Sequence, residues 1–456
     1  MRDSSQELRW SSARTSIAWL TAGFLVFSLP SSAPAQTAPD TRKVEIGFEE
    51  RFRNEDWNNA TDMSDRTNDE REQLRYRTRV WFSAPLPGSI DFLASLMDES
   101  SQKMGQVNHL DEIFFDNLYF DFHKVFIKGL DLKVGRQNIQ RSEGFILWDG
   151  TPGDGSRTGY YNAANLNYTT RKSTIELIGI FDPARDRFLP RWHDQHRTLQ
   201  TWDEQALGLY YTDRNHARAA FDAYYFYKKE VHDIRPSTNP QFQPDRHVST
   251  GGGRVVIEPA KNWAWTTEAA YQWGAQHGTA TRGPATIGAW GGYSHLKRTL
   301  DRPWKPYIKV GFVALSGDDP SSKNRIEGWD PLFSQWAKWS EMYVYSEGKE
   351  VGSGYWTNLG MTQLETGFAP HRKINVRFTW YHMDAFHAFA GSPATFGTGS
   401  HRGENFQTRT EFNLRPDLKA YVHYETQRAG NFYTDRPAAF FVQAQVTYQF
   451  RYHPAL

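Results

Sequence analysis

The chain has 456 residues with a mean hydropathy of −0.70, and no segment after its N-terminal leader approaches the roughly 18 consecutive apolar residues of a membrane-spanning helix, which excludes a helical membrane bundle. An aromatic content of 15% argues against disorder, and the absence of cysteine excludes disulfides, thiolate metal sites and cysteine nucleophiles. The 53 basic and 52 acidic residues leave a net charge of +1, which gives no overall field for nucleic acid, so any electrostatic function depends on where the charges lie.

The first 35 residues have the pattern of a secretory signal. Arg2, Arg9 and Arg14 precede an apolar run over residues 17–29, and small residues at Ala33 and Ala35 fit a cleavage site. The alternative is a buried N-terminal helix. We expect a signal peptide at 1–35 and a single mature domain at 36–456 that lies outside the cytoplasm.

From Lys43 onward the dominant pattern is a two-residue alternation of apolar and polar side chains, which indicates strands with two different faces. In the first such segment Ile46, Phe48 and Phe52 share one face, and charged residues occupy the other. The last segment, 439–450, sets a wholly uncharged apolar face against a row of glutamines. A soluble β-sandwich could alternate in the same way.

Loop lengths distinguish a sandwich from a membrane barrel. The alternation predicts about eighteen strands, at 43–53, 74–86, 89–98, 113–122, 130–138, 157–168, 173–181, 204–212, 217–228, 250–258, 262–273, 287–297, 304–315, 356–369, 371–382, 404–414, 418–427 and 439–450. Long connections follow the odd-numbered predicted strands and tight ones the even-numbered strands. This asymmetry is typical of barrels with short periplasmic turns and long extracellular loops.

The predicted fold is therefore all-β: a transmembrane, antiparallel, up-and-down β-barrel of about eighteen strands. It would lie in the bacterial outer membrane, in contact with lipid and lipopolysaccharide. Low hydropathy is no objection, because the half of each strand that faces the lumen can be polar. Aromatic residues near the predicted strand ends, such as Tyr210, Tyr211, Trp380 and Tyr381, suggest interfacial girdles.

The same alternation predicts which charges face the lumen. Five arginines fall on one inner wall, formed by the first two strands, and later strands add further basic residues. The predicted basic lining is Arg51, Arg53, Arg75, Arg77, Arg79, Lys133, Lys309, Arg377 and Arg409. Guanidinium groups suit carboxylate-bearing ligands because their planar donors bind carboxylates in a bidentate manner. A ladder of them would select anions.

Acidic residues on the same faces leave another interpretation open. The candidates are Glu45, Glu49, Glu176, Asp222, Glu268, Glu411 and Glu425. They could pair with the arginines and hold the wall rigid or narrow the pore. A mutually neutralised lining, as in a general porin, fits the alternation equally well.

Enzymatic and metal-binding interpretations have little support. His382 and His387 bracket Asp384 in a predicted long loop, where exposed histidines without a metal are the usual case. The glycines at 251–253 open a strand and precede no helix, so they form no phosphate cradle. The carboxylates in the segment 317–320 could bind a cation, but a turn explains them as well. We therefore expect no catalytic site, no metal and no cofactor.

Two segments resemble the alginate export family of outer-membrane porins. The run Val134-Gly135-Arg136-Gln137-Asn138-Ile139, followed by Trp148-Asp149-Gly150 and Arg157-Thr158, resembles a signature of that family. The stretch Ser316-Gly317-Asp318-Asp319-Pro320, followed by Glu327-Gly328-Trp329-Asp330-Pro331-Leu332-Phe333 and by Trp336, Trp339, Ser340 and Glu341, is similar to its long-loop pattern. The similarity extends over about residues 43–450.

The resemblance implies a monomeric eighteen-stranded barrel whose arginine-rich constriction passes a polyuronate. It makes Arg136 and Gln137 candidate pore residues, with Arg141 nearby. Arg136 shares the side of its strand with Leu132 and Val134, so it must lie at the rim or beyond a bulge to reach the lumen.

The sequence thus predicts a passive outer-membrane channel for an anionic, alginate-like polysaccharide or oligosaccharide, with possible periplasmic secretion partners. A diffusion porin for small anions or sugars is the alternative, and an outer-membrane enzyme or adhesin is a more distant one. The long extracellular loop at 316–355 carries Trp329, Trp336 and Trp339, whose rings could stack on sugars, and it is the best candidate for a lid or plug. A folded cap without a ligand is its other interpretation.

Overall fold

The computed structural model describes residues 43–60, 63–103, 112–148, 160–199, 202–231, 244–278, 283–334, 338–342, 354–389, 391 and 394–454. The expected signal peptide at 1–35 lies outside the described residues. In the described part of the chain, no helix is long and apolar enough to cross a membrane.

Alternating sequence segments form long antiparallel strands. The strands are β1 Glu45–Asn58, β2 Arg71–Leu86, β3 Ile90–Lys103, β4 Ile113–Phe122, β5 Leu130–Gln137, β6 Tyr161–Thr169, β7 Ser173–Asp182, β8 Arg191–Trp192, β9 Asp203–His216, β10 Ala219–Val231, β11 Arg246–Ile257, β12 Trp263–Gln276, β13 Ala285–Thr299, β14 Tyr307–Leu315, β15 Arg325–Ile326, β16 Leu359–His371, β17 Ile374–Asp384, β18 His401–Arg415, β19 Leu418–Ala429 and β20 Ala438–Tyr452. The two-residue strands β8 and β15 lie in loops and pair with β4 and β13. The other eighteen strands form the barrel wall.

The wall is a closed cylinder. Each barrel strand pairs antiparallel with its sequence neighbours, and β1 pairs with β20 from Ile46 opposite Tyr452 to Asn58 opposite Phe440. The predicted eighteen-strand antiparallel barrel is therefore confirmed, and each of the eighteen predicted segments overlaps one barrel strand. Short turns such as 87–89 and 416–417 lie at one rim, together with both ends of the sheet, and the long loops lie at the other. We call these the turn rim and the loop rim.

The two faces of the wall differ as the alternation predicts. Phe52, Val80, Leu207 and Phe312 are among the large apolar side chains that remain about half exposed on the outer face. Outward aromatic residues including Tyr225, Tyr271, Trp273, Trp290 and Tyr452 are also exposed. A bilayer would cover this surface, and the closed ladder leaves no backbone edge unpaired in lipid.

The core of the protein lies inside the barrel. Inward side chains of strands β6 to β17 pack against residues of two long loops, 138–148 and 316–358, in one buried cluster that includes Phe145, Leu147, Trp329 and Phe333. Glycine at position 291 makes room for this packing, since a Cβ atom there would lie 2.6 Å from the Trp329 ring. The described parts of these two loops therefore pack against the inner face of the barrel.

Candidate functional site

The inner wall of β1 and β2 carries the five predicted arginines, which we call the arginine wall: Arg51, Arg53, Arg75, Arg77 and Arg79. The strand register sets Arg51 opposite Arg77 and Arg53 opposite Arg75. All five residues lie on the buried face of their strands, with exposures of 5% or less. Their inward orientation agrees with the alternation, whereas a role in lining a pore stays a prediction.

Carboxylates neutralise most of this positive charge. Glu99 accepts hydrogen bonds from Arg51 and from Nε of Arg75 at 2.7 Å, and Glu55 lies 3.3 Å from Arg75. Glu49 accepts from Arg77 at 2.6 Å. Arg79 pairs through Nε with Asp116 at 2.9 Å and lies 3.5 Å from Glu49. Four carboxylates thus face five guanidinium groups, and the wall is an ion-paired lattice.

The acidic candidates also lie on inner surfaces, but only some contact a predicted basic residue. The contacts are Trp81 with Glu45, Arg77 with Glu49, Arg141 with Glu176, Arg254 with Asp222, Tyr224 and Tyr293 with Glu268, Arg409 with Glu411, and His423 with Glu425. Lys133 lies 3.1 Å from Asp121. The sequence analysis missed Glu55, Glu99 and Asp116, which hold most of the arginine wall.

The loop after β5 folds into the barrel. Nε of Arg141 donates to Glu176 on β7 at 2.8 Å, and Ser142 bonds to both Tyr210 and Asp222. Glu143 lies 3.1 Å from Nε2 of His295. The predicted site residue Arg141 therefore anchors this loop to the inner wall at β7, whereas the arginine wall is on β1 and β2.

The loop 316–358 lies against the first one. The backbone of Phe333 exchanges hydrogen bonds with residues 146 and 148, and Asp330 pairs with Arg246 at 2.7 Å. Further along, Trp339 accepts a 2.8 Å hydrogen bond from Gln407 on β18, and Ser340 donates to Glu425 on β19. The described parts of this loop thus contact β11, β18 and β19, and its role as a lid or plug stays a prediction.

The tryptophans of this loop differ from the expected sugar platform. Trp329 is 1% exposed and stacks on Phe145 with ring centroids 5.0 Å apart, so its ring is part of the core. Trp339 packs edge-on against Trp356, with ring centroids 5.1 Å apart. Trp336 lies outside the described residues.

A second group of basic residues lies on the inner wall nearer the turn rim. We call Lys297, Lys309, Arg377 and Arg409 the basic belt. The register places Lys297 opposite Lys309 and Arg377 opposite Arg409. Their acidic neighbours are Glu365, which lies 2.9 Å from Lys309, and Glu411, which lies 3.1 Å from Arg409.

The belt carries excess positive charge. Lys297 lies 4.0 Å from the centre of the Tyr307 ring, and Arg377 lies on the inner face of β17. Both are partly exposed, and within the described residues neither forms an ion pair at 4 Å or less. Two carboxylates therefore face four cations here. The sequence analysis selected three members of the belt and missed Lys297.

The remaining predicted site residues lie elsewhere. Arg136 is at the loop-rim end of β5, directly after Gly135 with its φ of +128°, and forms a bidentate pair with Asp186 at 2.7 and 2.8 Å. Its guanidinium also covers the Tyr160 ring at 3.8 Å. Gln137 donates to backbone carbonyls, including that of Ala163 at 3.0 Å. Arg136 also donates to the Phe115 carbonyl at 2.9 Å, so both residues bind neighbouring strands at the loop rim.

Two loop predictions are also resolved. His382 and Asp384 belong to β17 and not to a loop, and His387 bonds through its backbone to Asn358. Asp319 accepts from the backbone and hydroxyl of Ser321 at 2.8 and 2.7 Å, which is the geometry of a turn. The segment 317–320 therefore fits the turn interpretation.

Burial shifts the ionisation of one loop cation. Lys338 donates to the Glu143 carbonyl, and its ammonium lies 5.5 Å from the centre of the Tyr293 ring. Burial is the main cause that lowers the pKa of Lys338 to about 8. The positive charge of Arg254 also lowers this pKa, whereas the negative charges of Glu143 and Glu268 act to raise it. Burial acts to raise the pKa of Glu143, but His295, Arg254 and Lys338 outweigh it and hold that pKa well below its usual range.

From the lowered pKa of Lys338 we predict that the ion selectivity of the channel depends on pH. With a pKa lowered to about 8, Lys338 is expected to lose its charge progressively as the pH rises through that value, and the anion preference of the ionic current should fall with it. Reversal potentials in a salt gradient from pH 6 to pH 10 measure this. Lys338→Met should remove the step, and Lys128→Met, at an exposed turn position, should retain it. A step that persists in Lys338→Met would contradict the assignment.

We predict that Glu99 makes a large contribution to the free energy of unfolding. Replacing it in Glu99→Gln leaves the buried Arg51 and Arg75 without their shared charge partner, and breaking a buried pair typically costs about 3–5 kcal/mol. Urea unfolding of the folded barrel in lipid vesicles measures the change. Glu72→Gln, an exposed position on β2, is the control, with an expected change within about 0.5 kcal/mol. Equal changes in the free energy of unfolding for the two substitutions would contradict the stabilising role of the ion pairs in the arginine wall.

Comparisons with known proteins identify similar barrels. A model of the alginate export family matches residues 42–446. No curated protein matches the sequence. Solved structures with a similar fold include Acinetobacter baumannii OccAB4, with 8% identity, a TM-score of 0.56 and coverage of 91% of this chain and 99% of that chain. Pseudomonas aeruginosa OccK2 (OpdF) in complex with glucuronate has 12% identity, a TM-score of 0.53 and coverage of 90% and 98%.

Proposed function

Since the chain belongs to the alginate export family and is an outer-membrane β-barrel channel rather than an enzyme, we propose that it passes anionic saccharides of the uronate class, such as alginate oligomers or polymers. The basic belt is the proposed recognition element. Passage is passive, and the protein acts as a monomer. Periplasmic partners supply or receive the saccharide.

The excess charge of the belt is the observation that carries this proposal. A uronate polymer bears one carboxylate on each sugar, and Arg377 and Lys297 present partly exposed cations that no carboxylate within 4 Å neutralises in the described part of the chain. Lys309 and Arg409 extend the positive surface along the same wall. Charge-assisted hydrogen bonds to carboxylates are about twice as strong as neutral ones. As a uronate polymer moves, each of its carboxylates would therefore leave one cation of the belt and bind the next.

The family and one similar structure support the same ligand class. The description of the family is alginate export. A barrel of similar fold has been crystallised with glucuronate, a carboxylated sugar. At 12% identity the likeness extends to the fold alone, so the choice of ligand depends on the residues of this lumen.

Block of single-channel current by an oligouronate tests the proposal. We expect a trimer of mannuronate to interrupt the current of the wild-type protein in planar bilayers. The variant Lys297→Gln/Arg377→Gln should weaken that block by about 10-fold or more, since a hydrogen bond to a charged group is worth about 1.5–3 kcal/mol. Arg298→Gln is the matched control, because Arg298 is exposed on the outer face beside Lys297. Equal block in all three proteins would contradict the role of the belt.

A diffusion porin for small anions and sugars is the second candidate. It is favoured by the arginine wall, whose guanidinium groups are paired with carboxylates as in a neutralised lining. Current that neither the trimer nor a neutral trisaccharide blocks would favour this alternative. Block by the trimer but not by phosphate or the neutral trisaccharide would favour the uronate channel.

A further inference from the structure

Four ionisable side chains meet on the outer face of the barrel at the loop rim. His382 and Asp384 lie near the end of β17, on the same side as the outward Trp380, while the residue between them, Met383, is buried in the core. His401 and Glu404 lie at the start of β18, where the register with β17 shifts. We call His382, Asp384, His401 and Glu404 the histidine cluster.

The cluster is tightly arranged. Nδ1 of His382 lies 2.5 Å from Glu404, and its Nε2 lies 3.1 Å from Asp384. Nδ1 of His401 lies 2.9 Å from Asp384, and its Nε2 lies 4.0 Å from Glu404. The two imidazole rings stack with centroids 4.9 Å apart. Each histidine thus bridges the same two carboxylates.

Such a set of donors has the composition of a metal site. We propose that the histidine cluster binds one divalent transition-metal ion of the zinc class. Two imidazole nitrogens with carboxylate oxygens are ligands that Zn²⁺ accepts at about 2.0–2.2 Å. One ligand atom from each of His382, His401 and Glu404 already lies within 4.8 Å of the others.

The position of the cluster allows the donors to converge. Tetrahedral ligands at about 2.0–2.1 Å from zinc are separated by about 3.3 Å. The hydrogen-bonded pair His382–Glu404, at 2.5 Å, must therefore open, and the wider pair His401 Nε2–Glu404, at 4.0 Å, must close. The four side chains are 35–47% exposed, and they project from the paired strands β17 and β18. Rotation of these exposed side chains would reposition the ligand atoms.

The site is open to solvent. A pocket of about 340 Å³ is lined by His401 and Glu404 together with Arg428 and Arg436. An ion can enter from this pocket, and the two arginines would attract an anionic co-ligand to an open coordination position. The bound ion would join β17 to β18 just outside the apolar band.

Titration of the refolded, untagged full barrel with Zn²⁺ in maltoside micelles tests the proposal. We expect one ion per chain with a dissociation constant below about 10 μM. His401→Ala and Glu404→Gln should each weaken binding at least about 10- to 100-fold, the loss that even indirect partners of a metal typically cause. His387→Ala should bind as the wild type does, because His387 lies outside the cluster.

The visible spectrum of the Co²⁺-loaded protein gives a second readout of the ligands. We expect an intense tetrahedral spectrum in the wild-type protein and its loss in His401→Ala. Folding of each variant is checked by its heat-dependent gel mobility, and Asp384→Asn replaces any variant that does not fold. Absence of saturable Zn²⁺ binding in the wild type, or binding unchanged in folded His401→Ala and Glu404→Gln, would overturn the proposal.

Discussion

Closure of the hydrogen-bonded cylinder is the constraint on which the rest of the molecule depends. In a bilayer no water satisfies an exposed backbone group, so a sheet can cross only when its first and last strands pair. Here β1 and β20 pair over their full lengths, from Ile46 to Asn58 on β1. Closure fixes an outer face for lipid and an inner face for everything polar. The alternation of the sequence and the low mean hydropathy both follow from it.

The inner face of the barrel carries many charged side chains that are buried from water. On β1 and β2 the charges are arranged as a lattice in which Glu49, Glu99 and Asp116 each contact an arginine. Against strands β6 to β17 two long loops fill the space with apolar packing around Phe145 and Trp329. In the basic belt four cations face two carboxylates, and Lys297, Lys309 and Arg377 stay partly exposed. We therefore propose that the arginine wall stiffens the barrel and that the basic belt selects the ligand.

The sequence predicted the barrel well because period-two alternation is a direct consequence of two solvents on two faces. It failed where alternation ends or breaks. Glu55 and Glu99 lie just beyond the predicted ends of their strands, and Asp116 lies where the register between β3 and β4 shifts. These three residues pair with four of the five arginines of the arginine wall, so its cations and Glu49 were predicted and its other three carboxylates were missed.

Long-range placement accounts for the other failures. The sequence contains no signal that Trp329 would be enclosed by Phe145 from another loop. His401 and Glu404 approach His382 only through the register of β17 with β18, including the shift next to Gly403, whose φ is +135°. The resemblance to a family selected Arg136 and Gln137, which the structure uses to tie the rim together.

We propose that a water-filled path runs along the basic belt past the inserted loops. The most direct measurement uses the absence of native cysteine. Arg377→Cys is reconstituted in planar bilayers, and its current and selectivity are recorded before and after a negatively charged thiol reagent, with the outward Phe378→Cys as control. We predict loss of anion selectivity and a reduced current in Arg377→Cys alone. An unchanged current in Arg377→Cys, with modification verified by mass, would contradict the account.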